Sequence, residues 1–126
     1  CLYMIDIDNF KDVNDQYGHP AGDKILVKIG ELLREIFRDS DLIGRVGGDE
    51  FVVYSECGET KTRAMKLLNG TEDFTKEGEH RISVSIGIAA STGEPDEEYQ
   101  ELFSKADQAM YRAKQEGKNR IAWYEE

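Results

Sequence analysis

Acidic side chains at two separated points of the chain have the chemistry of a divalent-cation site. At one of them, Asp49 and Glu50 follow two glycines, Gly47 and Gly48, between two short apolar runs. This pattern is typical of a β-hairpin that turns at the glycines, because glycine reaches positive φ angles readily. Carboxylates held on a rigid turn are ligands that a hard cation such as Mg²⁺ prefers. The pattern predicts a hairpin with two cation ligands at its tip.

The second acidic cluster follows the first apolar run of the chain. Asp6 lies near the end of a strand predicted at Leu2–Ile7. Antiparallel pairing of this strand with the one that begins at Phe51 would bring Asp6 to the hairpin tip. Three converging carboxylates repel one another unless cations lie between them. The two clusters together predict one shared metal site.

Asp8 has two interpretations at this stage. Capping the following helix is the usual role of an aspartate at such a position, and ligation of the metal is the alternative. An EF-hand loop is excluded, because Lys11 stands where the loop needs glycine and Tyr17 where it needs glutamate. The backbone amides at the start of the predicted helix, around Asn9 and Phe10, would attract phosphate.

The hydrophobic pattern predicts the elements that position these acids. In chain order they are a strand at 2–7, a helix at 9–17, a longer helix opened by Pro20, the hairpin, a helix at 60–68, a loop at 69–79, a strand at 81–89, a helix at 96–116 and a strand at 120–124. This order predicts an α+β fold, in which helices pack on a mixed sheet and the hairpin carries the predicted metal site.

Composition narrows the class of protein. The 126 residues suit a single domain over residues 1–126, and we expect it to be part of a longer regulatory protein. The formal charge of -10 argues against a nucleic-acid or anionic-membrane surface. Cys1 and Cys57 form no disulfide framework, which fits a reducing, cytoplasmic setting. No apolar run is long enough for a membrane span, so any membrane anchor would lie elsewhere in the full-length protein.

A series of short motifs extends from one end of the chain to the other. In order they are Asp6-Ile7-Asp8-Asn9-Phe10-Lys11, Asn14-Asp15, Gly18-His19, Gly22-Asp23, Gly47-Gly48-Asp49-Glu50-Phe51, Ser85-Ile86-Gly87, Ala106-Asp107-Gln108-Ala109-Met110-Tyr111-Arg112-Ala113-Lys114 and Gly117-Lys118-Asn119. Their types and order resemble the GGDEF domains, the diguanylate cyclases. The resemblance covers essentially the whole chain and implies a ferredoxin-like, palm-type sheet.

The resemblance also implies roles for the two acidic clusters. The carboxylates of Asp6 and Asp49 and the carbonyl of Ile7 would ligate metal. Glu50 would support the metal or help to deprotonate the attacking hydroxyl, so Asp49 and Glu50 are the expected catalytic residues. Two Mg²⁺ ions per active site are expected, with Mn²⁺ as an alternative ion.

The implied substrate is GTP. Asn14 and Asp23 would hold guanine, since a carboxylate can accept hydrogen bonds from its N1–H and N2–H groups; turn and helix-start roles are the alternative for both. The phosphates would lie against residues from the first helix start and the end of the last helix, namely Asn9, Phe10, Lys11, Lys114 and Lys118. A plain solvated helix end is the alternative for the two later lysines.

A further match is the Arg-x-x-Asp string formed by Arg38 and Asp41. Family members with this string at the same offset from the hairpin bind the product there and are inhibited. An arginine can grip guanine O6 and N7 with two hydrogen bonds. The alternative is that Arg38 caps the preceding helix.

The expected function is therefore that of a diguanylate cyclase, which condenses two GTP into cyclic di-GMP at the interface of a homodimer. An upstream sensor or receiver domain is the expected source of regulation. The alternative is a degenerate GGDEF module that binds GTP or cyclic di-GMP as a sensor without turnover. No nucleic acid and no direct membrane contact are expected.

Overall fold

A mixed five-stranded sheet forms the centre of the protein. The computed structural model describes residues 1–77, 81–94 and 96–125. The elements in chain order are β1 (Leu2–Ile7), α1 (Phe10–Tyr17), α2 (His19–Ile36), β2 (Leu42–Arg45), β3 (Glu50–Tyr54), α3 (Thr60–Glu77), β4 (Val84–Ala89), α4 (Tyr99–Gln115) and β5 (Arg120–Trp123). The strand order is β2-β3-β1-β4-β5; β4 and β5 pair in parallel, and the pairs β2–β3, β3–β1 and β1–β4 are antiparallel. The predicted α+β class is confirmed.

Strand β1 lies in the middle of the sheet and is buried on both faces. Tyr3 and Ile5 belong to a larger core with α1, α2 and α3, whereas Leu2 and Met4 pack in a smaller core with α4. A strand covered on both faces reads as a continuous apolar run, which is why β1 is visible in the sequence. Within the part of the chain that the structure describes, none of the helices combines the length and apolar character needed to cross a bilayer.

Strand β4 is shorter than the strand predicted at 81–89, and both of its faces are buried. The side chains of Val84, Ile86 and Ile88 lie in the larger core. The other face is buried as well, because α4 covers it closely. A Cβ atom at Gly87 would overlap backbone atoms of α4 at Ala106 and Met110. The Ser-x-Gly motif therefore marks the place where a helix approaches the sheet too closely for any side chain.

Helix α3 corrects the prediction of a short helix at 60–68 followed by a loop at 69–79. The helix continues to Glu77, and residues 78 and 79 of the predicted loop lie outside the described residues. Gly70, which suggested a loop, instead allows close packing on α2, since a Cβ there would come within 2.5 Å of the Leu32 side chain. Thr71 is fully buried on the same helix.

The structure also corrects the expectation about the cysteines, because Cys1 and Cys57 form a disulfide with a Cα–Cα distance of 5.0 Å. The two residues are 56 positions apart in sequence, but β1 and β3 are adjacent. The Ser55 N–H donates to the Cys1 carbonyl at 3.0 Å, which places the turn after β3 beside the start of β1. Pairing of these strands brings the two cysteines together.

Candidate metal and nucleotide site

Three carboxylates from distant parts of the sequence meet at one end of the β1–β3 pair. Asp6 lies directly opposite Glu50 in the antiparallel register, and the Ile7 N–H donates to the Asp49 carbonyl at 3.1 Å. Asp6, Asp49 and Glu50 each offer an oxygen that lies within 4.8 Å of the other two. The structure thus brings together the three acids that the sequence predicts to converge.

The hairpin tip is held by a residue that sequence reasoning missed. The Arg45 guanidinium donates to the carbonyls of Gly47 and Gly48, at 3.1 and 2.9 Å. Neither glycine adopts a positive φ, so the predicted reason for the glycines was wrong. A Cβ at Gly48 would meet no atom within 4 Å. The tip is therefore fixed by Arg45, and it leaves open space at Gly48.

The acids raise one another's proton affinity. Burial raises the pKa of Asp6 from 3.8 to about 7, and the charges of Asp49 and Glu50 add to this against the opposing effect of Lys114. Burial also raises the pKa of Glu50, as do Asp107 and Asp49. Asp107 is a fourth acid near the cluster. In the sequence, its position in the Ala-Asp motif was the one feature that pointed to it. A cation in the cluster would relieve this repulsion.

One oxygen in the cluster supports the fit of a metal ion directly. Asp6 is 8% exposed, and its Oδ1 atom accepts no hydrogen bond from any residue in the described ranges. A buried carboxylate oxygen without a donor is costly unless a cation is nearby. Lys114 Nζ forms an ion pair with this atom at 3.4 Å, but the same ammonium group also pairs with Asp8 at 3.3 Å, so one positive charge serves two carboxylates. The oxygen-only donor set suits Mg²⁺.

Asp8 has neither of the two roles that the sequence suggested, helix capping and metal ligation. The side chain makes no cap for α1 and is only 2% exposed. Its two oxygens accept hydrogen bonds from the hydroxyls of Ser83 and Ser85, at 2.7 and 2.6 Å, and from the Asn119 N–H at 3.0 Å. Lys114 Nζ also donates to it, at 3.3 Å. Asp8 is thus a buried anchor that holds Lys114 beside Asp6.

The phosphate candidates divide between the start of α1 and the turn after α4. Asn9 has φ 56°, and its side chain makes no capping hydrogen bond, so the amides of Phe10 and Lys11 lie at a helix start that Asn9 does not cap. Gly117, Lys118 and Asn119 have positive φ in succession. This sharp turn brings Lys118 Nζ to Asn9 Oδ1, at 2.7 Å. Lys11 is exposed and directly follows Phe10 in the first turn of α1.

The comparison with protein families decides what kind of domain carries this arrangement. A family model described as "Diguanylate cyclase, GGDEF domain" matches residues 1–120. The chain belongs to the GGDEF family. The sequence resemblance, built on the motifs at both acidic clusters, is confirmed.

Relatives of this GGDEF domain include diguanylate cyclases and solved domains. Diguanylate cyclase DosC of Escherichia coli is 41% identical over 127 residues, which cover 95% of this chain and 27% of DosC. The active GGEEF domain of a diguanylate cyclase from Vibrio cholerae has a TM-score of 0.83 at 32% identity, covering 99% of this chain and 82% of that one. The GGDEF domain of DgcB from Caulobacter crescentus, solved with c-di-GMP, has a TM-score of 0.83 at 28% identity, covering 100% and 78%. The chain therefore spans about a quarter of the length of DosC.

The guanine candidates of the GGDEF domain lie on neighbouring helices. Asn14 is on α1 and Asp23 on α2. Gly22 allows the two helices to meet, since a Cβ there would overlap the Asn14 side chain and crowd Phe10. Asp23 is exposed and Asn14 half-buried. Both residues lie on the α1–α2 pair, and neither is among the three converging acids.

Arg38 and Asp41 are contacting neighbours at the other end of β1 and β3. The Asp41 carboxylate accepts from the Arg38 N–H and the Ser55 hydroxyl, both at 2.8 Å, and Arg63 donates to Ser55 at 2.9 Å. Burial opposes ionisation of Asp41, but these donors outweigh it and lower its pKa. The Arg38 guanidinium lies 3.5 Å from Asp41 and its side chain stays half-exposed. Asp41 thus positions Arg38, and Arg38 faces solvent.

Proposed function

We propose that this GGDEF domain is a diguanylate cyclase, which converts two GTP molecules into one cyclic di-GMP and two pyrophosphates. The observation that carries the proposal is the convergence of Asp6, Asp49 and Glu50 within 4.8 Å. Relatives named as diguanylate cyclases, such as DosC, support the same activity. A degenerate sensor would not need an intact set of three acids.

Mg²⁺, or Mn²⁺ as an alternative, fits the donor set, and two ions per site are proposed. The carboxylates of Asp6 and Asp49 and the carbonyl of Ile7 would hold metal, with Glu50 supporting it or accepting the proton of the attacking hydroxyl. Bound metal would lower the proton affinity of the 3′-hydroxyl and offset charge on the phosphates. The buried, donor-free Asp6 Oδ1 supports this assignment.

GTP would be held at two places in each domain. Asn14 and Asp23 would hydrogen-bond guanine, and the amides at Asn9, Phe10 and Lys11 would bind phosphate. Lys114 and Lys118 would supply positive charge to the triphosphate. Asp8 would keep Lys114 in place, because it is the buried partner of that ammonium group.

Ring closure requires a second copy of the domain. Each 3′-hydroxyl attacks the α-phosphate of the GTP held by the partner copy, so two P–O bonds form and two break, and two pyrophosphates leave. We propose a homodimer at turnover, in the cytoplasm where GTP is available. A further sensor or receiver domain would control the encounter, which fits a chain that corresponds to 27% of DosC.

Product inhibition is proposed at Arg38 and Asp41. The half-exposed Arg38 could grip a guanine edge of cyclic di-GMP. The complex of the DgcB GGDEF domain with c-di-GMP supports the choice of ligand, though not the location.

Turnover by a dimeric form tests the proposal. The chain is fused to a parallel coiled coil and incubated with GTP and Mg²⁺, and pyrophosphate and cyclic di-GMP are measured. Asp49→Asn should abolish both products while the thermal unfolding curve stays that of a folded domain. Full activity in Asp49→Asn would defeat the assignment. Stabilisation by GTP without pyrophosphate would instead identify a sensor.

A further inference from the structure

The Cys1–Cys57 disulfide lies in the wall of the cavity that contains Arg38. The cavity has a volume of about 620 Å³, and its lining includes Cys1, Cys57, Arg38, Asp41 and Glu56. Nothing in the metal and nucleotide site uses this disulfide. It lies at the opposite end of the β1–β3 pair from Asp6 and Glu50.

The disulfide links the turn that carries Glu56 to the start of β1. The β1–β3 ladder ends at Ser55, which exchanges backbone hydrogen bonds with Cys1 at 2.8 and 3.0 Å. Past that point, the Gly58 N–H donates to the hydroxyl of Thr60, the first residue of α3, at 3.2 Å, and this hydroxyl donates to the Cys1 sulfur at 3.9 Å. The disulfide is thus the covalent link that ties the turn to the sheet.

Two acids compete for the Arg38 guanidinium, and they are held very differently. Asp41 is 3% exposed at its side chain and is fixed by Ser55. Glu56 lies 3.6 Å from Arg38 Nη2 with its side chain 87% exposed. Glu56 would move with the turn, whereas Asp41 would stay in place. The position of the turn therefore sets how much negative charge faces an incoming anion at Arg38.

We propose that Cys1 and Cys57 are a redox-modification site, with a low-molecular-weight disulfide as the oxidant, that controls anion access to Arg38. The inference rests on the proposed product site at Arg38. In the oxidised protein the disulfide holds Glu56 beside Arg38 and weakens binding of cyclic di-GMP. In the reduced protein the turn is released and Arg38 is freer to bind the phosphates or guanine of that ligand.

The exchange has a defined order. Cys57 is exposed and Cys1 is 8% exposed, so the Cys57 thiolate attacks the small disulfide first and expels one thiol. The Cys1 thiolate then attacks the Cys57 sulfur of the mixed disulfide and expels the second thiol. Two protein thiols are oxidised to one S–S bond, and one small disulfide is reduced to two thiols. Such disulfides in reducing compartments are usually transient and redox-sensing.

Binding measured in both redox states tests the inference. Cyclic di-GMP is titrated, without divalent cations, into the chain treated with oxidised glutathione or with dithiothreitol. Because an exposed ion pair is weak, the reduced protein should bind about two- to fivefold more tightly. Cys57→Ser should bind like the reduced protein under both treatments. Glu56→Gln should lose the redox difference, whereas Glu31→Gln, an equal charge change on the exposed face of α2, should keep it.

The outcomes separate this inference from the product site. If Arg38→Ala abolishes binding but the two redox states of the wild type bind equally, the redox control is wrong and the product site stands. If Arg38→Ala binds as tightly as the wild type, the product site and the redox control fail together. Alkylation of both thiols after treatment with oxidised glutathione would also overturn the inference, because no disulfide would have formed.

Discussion

The Asp8 carboxylate accepts hydrogen bonds from four donors, on Ser83, Ser85, Lys114 and Asn119, so its charge should matter for stability. Asp8→Asn keeps the shape, but it replaces one acceptor oxygen with an NH₂ group, which would face either the Ser83 and Asn119 donors or the Ser85 and Lys114 donors. We expect the free energy of unfolding to fall by about 1–3 kcal/mol in urea titrations. Asp73→Asn, at an exposed position of α3, is the matched control and should change it by less than about 0.5 kcal/mol. An Asp8→Asn protein as stable as the control would contradict the anchoring role.

The raised pKa of Asp6 gives the metal-free protein a distinctive pH dependence. Between 3.8 and about 7 the folded protein keeps a proton on Asp6 that the unfolded chain has lost. The stability contributed by this proton is present at low pH and is lost as pH rises through about 7. In a chelator, denaturant titrations should show wild-type stability falling over this range relative to Asp6→Asn.

Added Mn²⁺ should reverse this effect, because the metal replaces the proton. The stabilisation by Mn²⁺ should be larger at pH above 7 than at pH below 6, where it must displace the proton. If the free energy of unfolding in chelator changed with pH in the same way for the wild type and Asp6→Asn, Asp6 would not titrate in this range.

At the scale of single residues, the sequence revealed the acids at the hairpin tip but not their supports. Asp49 and Glu50 stand out because a turn does not need them. Asp8 finds Ser83, Lys114 and Asn119 at separations of 75, 106 and 111 residues, and no local pattern encodes such contacts. For that reason the sequence alone favours helix capping as an interpretation of Asp8.

At the scale of elements, the contact between α4 and β4 depends on one glycine. A Cβ at Gly87 would overlap backbone atoms of Ala106 and Met110, which cannot move like a side chain. Gly87→Ala should therefore destabilise the protein by about 1–3 kcal/mol or more and displace the helix that carries Lys114. Thermal and urea unfolding measure the first effect.

Gly30 on α2 provides the opposite case. A Cβ there would meet no atom within 4 Å, and the residue lies inside a helix. Gly30→Ala should stabilise the protein by about 0.5–1 kcal/mol. Equal effects of the two substitutions would show that helix propensity, rather than the close approach of α4, determines the role of Gly87.

The prediction of secondary structure failed for the second half of α3, where most side chains are polar. Residues 69–77 looked like a loop because most of their side chains are polar and Gly70 interrupts them. In the structure, Gly70 accommodates Leu32, so tertiary packing outweighs the poor helix propensity of glycine. The strands were easier to predict, since the buried faces of β1 and β4 are marked by apolar residues.

For the whole molecule, the mixed sheet and the β1–β3 neighbourhood could be anticipated from the sequence, whereas the disulfide could not. Convergence of Asp6 with the hairpin required only that β1 and β3 pair antiparallel, as they do in the structure. The meeting of Cys1 and Cys57 depends on where the turn after β3 folds, and two cysteines without a spacing pattern carry no information on that.

The net charge of the whole molecule should govern the encounter of two copies. Each chain carries a formal charge of -10, so two copies repel each other at low ionic strength. If turnover needs a dimer, the rate of pyrophosphate release at low protein concentration should rise with about the square of concentration. Raising NaCl from about 20 to about 150 mM should increase that rate, because the screening length shortens to about 8 Å.

A coiled-coil fusion of the same chain is the control for this last effect. Its two domains are held together already, so its rate should be proportional to protein concentration and should not increase with salt in this way. A rate that is proportional to concentration for the unfused chain, at concentrations where light scattering finds only monomers, would show that one copy suffices. That result would contradict the proposal that each GTP is attacked by the hydroxyl of a GTP in the partner domain.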